Sequence, residues 1–195
     1  MIYSNFSYLS PEQRKMLGKK VFELLEKYGV KLDPHPQMFQ YLKEANLQVD
    51  EAKVIVGFPS PVLKTLIKRA PTALALGSQL PDKSLPLPRP DGTFYARTGT
   101  GAHGYIDPES GNYRKVTLAD LAQWANLVNQ LDEISFLPYL FASDAPTKTA
   151  DVHALATLLK STPKHIWVQP YSSESVKHLI ALGAAAAGGR QELTN

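Results

Sequence analysis

From position 95 to 107 the chain reads Tyr95-Ala-Arg-Thr-Gly-Thr-Gly-Ala-His-Gly-Tyr-Ile-Asp107. Gly99, Gly101 and Gly104 carry the spacing G-x-G-x-x-G, the loop that cradles a dinucleotide pyrophosphate. That chemistry requires the third glycine to open a helix, whose N-terminus then faces the phosphates. Here the third glycine runs into Tyr105-Ile-Asp107, then Pro108-Glu-Ser-Gly111, then Asn112-Tyr-Arg-Lys-Val116. These segments read as strand, tight turn, strand. No helix start precedes Thr117, so the glycines are expected to form a strand-end loop. A dinucleotide-binding oxidoreductase using Gly99–Gly104 stays as the alternative reading, and a non-catalytic binding module as a third.

The other chemistry-bearing residues gather where strands are expected to end. Arg97 has the charge and the forked donors to hold a carboxylate. His103, set between small residues, is free to make a polar contact. Thr98, Gly99 and Gly101 allow close approach of backbone to a ligand. Tyr95 and Tyr105 flank the loop. Tyr139, Gln169 and Tyr171 stand at later strand ends, where aromatic faces suit a cationic guest. Core packing is the ordinary alternative for each aromatic. Asp144 serves either the site or the cap of the helix after it. Asp151 and His153 fall on one helix but on different sides of it, and His153 reads as structural. His165 begins a strand, at the end opposite the site. His35 and His178 have no ligand-spaced partners. No metal-ligand spacing, P-loop or G-x-S-x-G is found. The sequence names no catalytic residue.

Elements must position these groups. Residues 1 to about 92 read as helices with short strands between them. Ser10-Pro11-Glu12-Gln13 is a capping start. Leu17, Val21, Leu24, Leu25 and Tyr28 then form an apolar stripe that ends at Gly29. A second helix is expected over 36–45, with Met38, Phe39 and Leu42 inward, then a strand over 53–56. A third helix starts at Ser60-Pro61 and is ended by Pro71. Residues 80–90 hold four prolines and read as an extended connection. From 93 the texture changes. Strands are expected over 93–97, 134–141 and 165–169, and helices over 118–131, 149–160 and 174–187. Thr117-Leu-Ala-Asp120 supplies a capping signal. Strand–helix alternation implies parallel strands with right-handed crossovers, covered on both faces. Three strands cannot close a barrel, and 188–195 reads as a loop. The fold expected is therefore α/β: the N-terminal part of a (β/α)8 TIM barrel, preceded by a helical region, in a truncated chain. A small flavodoxin-like sheet is the alternative. In such a barrel the site lies at the C-terminal strand ends.

Composition narrows the class further. The net charge is +3 with basic residues dispersed, which argues against a nucleic-acid groove. The absence of cysteine removes disulfides, thiolate metal sites and a thiol nucleophile. Residues 1–6 lack the basic and apolar regions of a signal peptide. No run approaches the roughly 18 apolar residues of a membrane span. A cytoplasmic protein is expected, with no nucleic-acid or membrane partner.

An ordered set of motifs resembles one family. Glu23-Leu-Leu-Glu-Lys-Tyr-Gly-Val-Lys-Leu is similar to the opening helix of the trimethylamine methyltransferase family. Val54-Ile-Val-Gly-Phe-Pro, followed by Ala70-Pro71, resembles its next block. So, in order, do Arg97-Thr-Gly-Thr-Gly-Ala, Tyr105-Ile-Asp-Pro-Glu-Ser-Gly, Thr117-Leu-Ala-Asp-Leu-Ala and Trp124-Ala-Asn-Leu-Val. Asp132-Glu-Ile-Ser-Phe, Ala142-Ser-Asp144, Asp151-Val-His153 and Thr162-Pro-Lys-His165 continue the likeness. The resemblance implies a TIM barrel that takes a methyl group from a tertiary or quaternary amine and passes it to cobalt. It implies no cofactor bound directly: the corrinoid (cobalamin) is carried by a cognate corrinoid protein. It also implies a longer, homo-oligomeric protein. Some members contain pyrrolysine in the later half of the barrel; others lack it and act on amines such as glycine betaine. On that basis Tyr95, Arg97, Thr98, Gly99, Gly101, His103, Tyr139 and Gln169 are the candidate substrate contacts. The chain by itself is expected to be inactive.

Overall fold

Helix α1 (Pro11–Lys27) begins where Ser10 and Gln13 close a reciprocal capping box. The computed structural model describes residues 8–194. The N-terminal residues 1–6 and Asn195, on which expectations above fall, lie outside the described residues. The chain divides into two compact units, Met1–Pro71 and Thr72–Asn195. The change of texture read at 92 falls later than this division. The reason is a hairpin over 74–87 and a side-chain tether: Gln79 donates to Leu159 O and Thr162 O at 2.9 and 2.8 Å.

In the first unit, α1 is followed by β1 (Val30–Lys31), α2 (Pro36–Glu44), β2 (Gln48–Asp50), β3 (Ile55–Gly57) and α3 (Ser60–Arg69). The three strands form one antiparallel sheet in the order β1-β3-β2. Phe39, Leu47 and Val56 are its buried core, with Met38 and Leu42 packed alongside. The strand expected over 53–56 starts at Ile55, because Val54 takes a left-handed φ of 52° in the turn before it. The apolar stripe of α1 is only partly used: Leu17, Val21, Leu24 and Tyr28 are exposed, and no residue of α1 is fully buried.

The second unit opens with the antiparallel pair β4 (Leu74–Leu76) and β5 (Leu85–Leu87), joined through a 3-10 turn at Pro81–Lys83. This corrects the expected connection over 80–90: Leu85 is buried and Leu87 half-buried, and the strand pairs in spite of its proline. There follow β6 (Ala96–Arg97), β7 (Gly104–Ile106), β8 (Tyr113–Lys115), α4 (Leu118–Asn129), β9 (Ile134–Pro138), α5 (Ala150–Ser161), β10 (His165–Trp167), α6 (Ser173–Ala187) and α7 (Arg190–Thr194). The last helix replaces the loop expected after 188. All three strands that alternate with helices are shorter than expected: 93–95 precede β6 as irregular chain, and 139–141 and 168–169 have already turned into loops.

Strands β6, β9 and β10 form one wholly parallel sheet in the order β10-β9-β6. Leu137 and Ile166 face α4 and α5, packing with Leu121, Ala125, Val128, Ala154 and Leu158. Side chains alternate along a strand, so Phe136 and Trp167 point the other way. They stack on each other there at 6.2 Å, with Trp167 half exposed. The expected cover on both faces is thus present on one face of the described residues. Lys164, buried, fastens the opposite end of this layer: its ammonium donates to Val128 O, Leu131 O and Ile134 O at 2.6–2.8 Å. Val128 O and Leu131 O also accept backbone N–H groups of the turn after α4, and Ile134 O belongs to the first residue of β9, so the ammonium ties the end of the helix to the start of the strand. Burial lowers the Lys164 pKa. The fold is mixed α/β.

Candidate functional site

The C-terminal ends of β6, β9 and β10 carry three loops, 98–103, 139–146 and 168–172, which are joined to one another. Phe141 N–H donates to Ala102 O at 3.0 Å, and Ser143 N–H to Val116 O at 2.8 Å. Gln169 N–H donates to the Tyr139 hydroxyl oxygen at 2.9 Å. A ladder of rings runs across the loops. The His103 ring lies on Phe141 with centroids 4.3 Å apart and planes within 6°. Phe141 stacks on Tyr171 at 5.1 Å, and Tyr171 meets Tyr139 edge to face at 5.9 Å. The ladder steps from buried Tyr139, through half-buried Tyr171 and Phe141, to exposed His103. Burial raises both phenols, Tyr139 to about 12 and Tyr171 further, so both are neutral hydroxyls at physiological pH.

The glycine loop is shaped by this packing. Gly101 sits at φ +73°, and a Cβ there would lie 3.1 Å from the Phe141 ring. Gly104 enters β7 so close to the partner strand that a Cβ would lie 2.5 Å from Arg114 O and from the Tyr113 ring. The third glycine therefore opens a strand. No helix N-terminus follows it, and the geometry a pyrophosphate needs is missing at Gly104. The hairpin β7–β8 is locked to α4 by Arg114, whose guanidinium lies over the Tyr105 ring at 4.4 Å and contacts its hydroxyl. It also bonds both Asp120 oxygens at 2.7 Å and Asp107 at 3.1 Å. Arg114 holds the Asp120 carboxyl well below its usual range, and Asp120 in turn raises Arg114. Asp120 also completes the Thr117 capping box.

The expected site residues divide into three groups. Arg97, Thr98, Gly99, Gly101, His103 and Gln169 do lie at the strand ends. The Arg97 guanidinium stacks over Trp167 at 4.7 Å and donates to Thr98 O at 3.1 Å. Thr98 Oγ1 is buried without a hydrogen-bond partner. It borders a recess of about 700 Å³ lined by Trp124, Leu127, Leu140 and the loop. Tyr139 is at the strand end but buried, so its ring supports the ladder from beneath. Tyr95 is elsewhere. It precedes β6, under Arg89 at 4.9 Å, and lines a recess with Asp132 and Lys164 at the N-terminal end of the strands. Asp144 caps α4, the helix before it: Leu118 N–H donates to its Oδ1 at 2.9 Å. His165 contacts Gly77 O at 2.7 Å, and His35 caps α2 through Met38 N–H. No group of three metal-ligating side chains occurs among the described residues.

Three residues escaped the sequence reading. Phe141 and Trp167 were absorbed into strands, although a strand stopping at Pro138 would have freed Phe141. Asp151 was placed on a helix, and its complete burial has no local signal.

Residues 2–195 match the model of the family described as trimethylamine methyltransferase (MTTB). The chain belongs to this family. Trimethylamine methyltransferase MttB of Desulfitobacterium hafniense (strain DSM 10664 / DCB-2) is 25% identical over 185 residues, covering 94% of this chain. The chain spans 37% of that relative's length. The motifs quoted above lie inside the family match, and within the described residues they fall on structural joints. Arg97 to Ala102 is the end of β6 and the loop after it, Thr117 to Ala122 the capped start of α4, and Asp151 to His153 the start of α5. No helix among the described residues is long and apolar enough to cross a membrane.

Proposed function

We propose that this chain supplies the N-terminal part of an enzyme that moves a methyl group from a tertiary or quaternary methylated amine to the cobalt of a separate corrinoid protein. The observation that carries the reading is the family match over residues 2–195. The relative's name makes trimethylamine the first substrate to try, with glycine betaine the second. The 37% share of the relative supports the view that the rest of the enzyme lies outside this chain.

Sheet order supports the barrel. Successive strands β6, β9 and β10 are neighbours, and α4 and α5 pack on the same face. With right-handed crossovers, each new strand is then added on the same side, which is how a barrel grows. A doubly wound sheet reverses direction and places helices on both faces. The strand-end loops are where a barrel keeps its site.

A methylated ammonium has little or no hydrogen-bonding capacity, so aromatic surface and exclusion of water must hold it. Each ring contributes about 0.5–2 kcal/mol. His103 and Phe141 offer such a surface at the mouth, kept rigid by Tyr171 and Tyr139. Arg97, pinned flat on Trp167, has N–H groups directed by a single backbone bond and left over for an anionic group of substrate or partner. The corrinoid receives the methyl group; the residues of this chain orient the amine and shield it from water, and no proton need be taken from the methyl carbon.

To test the reading, the whole protein is incubated with reduced corrinoid protein and a panel of methylated amines. Demethylated amine is then sought by mass spectrometry. Stoichiometric demethylation of one amine is expected; none across the panel sinks the proposal.

A further inference from the structure

Asp151 stands at the first turn of α5 and is fully buried. Among the described residues no Lys, Arg or His pairs with it. A buried carboxylate held by neutral donors is costly, so its bonds must compensate. Oδ1 accepts from Val152 N–H at 2.9 Å, within the helix start, and the positive end of the helix dipole favours its charge. Capping α5 would need no more than this. Oδ2 instead reaches across to the loop after β10, where it accepts from Tyr171 N–H at 2.9 Å.

The same loop has a second fastening, Gln169 N–H to the Tyr139 hydroxyl. Pro170 lies between the two and fixes its own φ. Two tethers and a proline hold three successive residues. Their effect is to bring the Tyr171 ring against Phe141 at 5.1 Å, and Phe141 also carries His103 at 4.3 Å. Without the Asp151 bond, the ring in the middle of the ladder keeps only its stacking contacts.

We propose that Asp151 is the positioning residue of the aromatic ladder, acting through the Tyr171 N–H to hold the loop after β10 so that Tyr171 backs Phe141 and His103. Its significance for amine binding rests on the function proposed above; the structural arms below do not.

The experiment is NMR and hydrogen exchange on the whole protein, read at residues of this chain. In the unmodified chain the Tyr171 amide is protected from exchange although it lies in a loop. His103 ring protons are displaced by the Phe141 ring they face. Asp151→Asn speeds exchange at Tyr171 by about tenfold or more, the share of a hydrogen bond to a charged acceptor. It moves the His103 signals toward those of free histidine and leaves Gln169 protected. Tyr139→Phe does the reverse, exposing Gln169 and sparing Tyr171. An unprotected Tyr171 amide in the unmodified chain overturns the proposal without any variant, so a misfolded Asp151→Asn does not rescue it. Unchanged exchange and unchanged His103 signals in a folded Asp151→Asn overturn it too, as does equal loss at both amides in Tyr139→Phe. Tetramethylammonium is then titrated into the whole protein, unmodified and as Asp151→Asn. Severalfold weaker binding in the folded variant is expected. If tetramethylammonium leaves the ladder signals of the unmodified whole protein untouched, the amine reading fails while the exchange results still decide the role of Asp151.

Discussion

Four glycines in one segment separate two physical effects, because the surroundings of each differ. Gly99 has an ordinary φ and open space around its Cα. Alanine there is expected to be neutral or to stabilise by about 0.4–1 kcal/mol, through the unfolded chain. Gly111 has open space but φ +69°. A left-handed alanine costs about 1–2 kcal/mol, partly offset by the same unfolded-state gain. Gly101 combines φ +73° with a Cβ position 3.1 Å from the Phe141 ring, which must slide by a few tenths of an ångström. Its alanine variant should lose about 1–3 kcal/mol. Gly104 has an ordinary φ, but its Cβ would lie 2.5 Å from Arg114 O, a backbone atom paired in the β7–β8 ladder. The strands must part, at a cost of more than about 2 kcal/mol. The assay is urea unfolding followed by tryptophan fluorescence, since Trp124 and Trp167 both lie in the second unit. The expected order of loss is Gly104, Gly101, Gly111, Gly99. If Gly104→Ala were as harmless as Gly99→Ala, the third glycine would not be a packing device between two strands.

The remaining predictions concern charges. Asp120 has a folded pKa below its ordinary value of 3.8, set first by Arg114, so its contribution is complete above that value and is lost as pH falls below it. Acid titration should loosen the β7–β8 hairpin in that window, and Asp120→Asn should reduce the dependence to the part that Asp107, also bonded to Arg114 and also lowered, contributes; a hairpin whose amide signals do not respond to acid would refute the lock. Lys164→Met removes the ammonium shared by three carbonyls and should destabilise the second unit by about 2 kcal/mol in the same urea assay. A loss under half of that would show that water replaces the ammonium. Arg97→Ala should change Trp167 emission yet cost under about 1 kcal/mol, since the pair is exposed. In the whole enzyme it should weaken substrate or partner binding far more than it weakens folding.

What was legible in the sequence was local. Ser10 and Thr117 announce their helices because capping is a short-range bond, and the strand–turn–strand after Gly104 follows from its turn residues. The parallel alternation from 93 onward was legible from apolar runs and their spacing. Strand ends were not: hydrophobicity continues through Tyr139 and Phe141, while pairing stops at Pro138. The hairpin of β4 and β5 was hidden because prolines read as breakers, yet Pro86 sits where the ladder tolerates it. The site was half legible. Glycines and Arg97 at a strand end could be placed, but the burial of Tyr139 and Asp151, and the position of Tyr95 at the other end of the sheet, arise from contacts between distant segments. Motif order, by contrast, carried the family, because it records the whole fold at once.

The most direct test follows the methyl group itself. Deuterated trimethylamine, and separately deuterated glycine betaine, is supplied to the whole protein together with a reduced corrinoid protein. The cobalt-bound product is then examined by mass spectrometry. The account predicts that an intact trideuteromethyl group appears on cobalt from one of these amines. Cobalt left unmethylated by every tertiary and quaternary amine, alongside oxidation of a substrate that requires a nicotinamide cofactor, would contradict it.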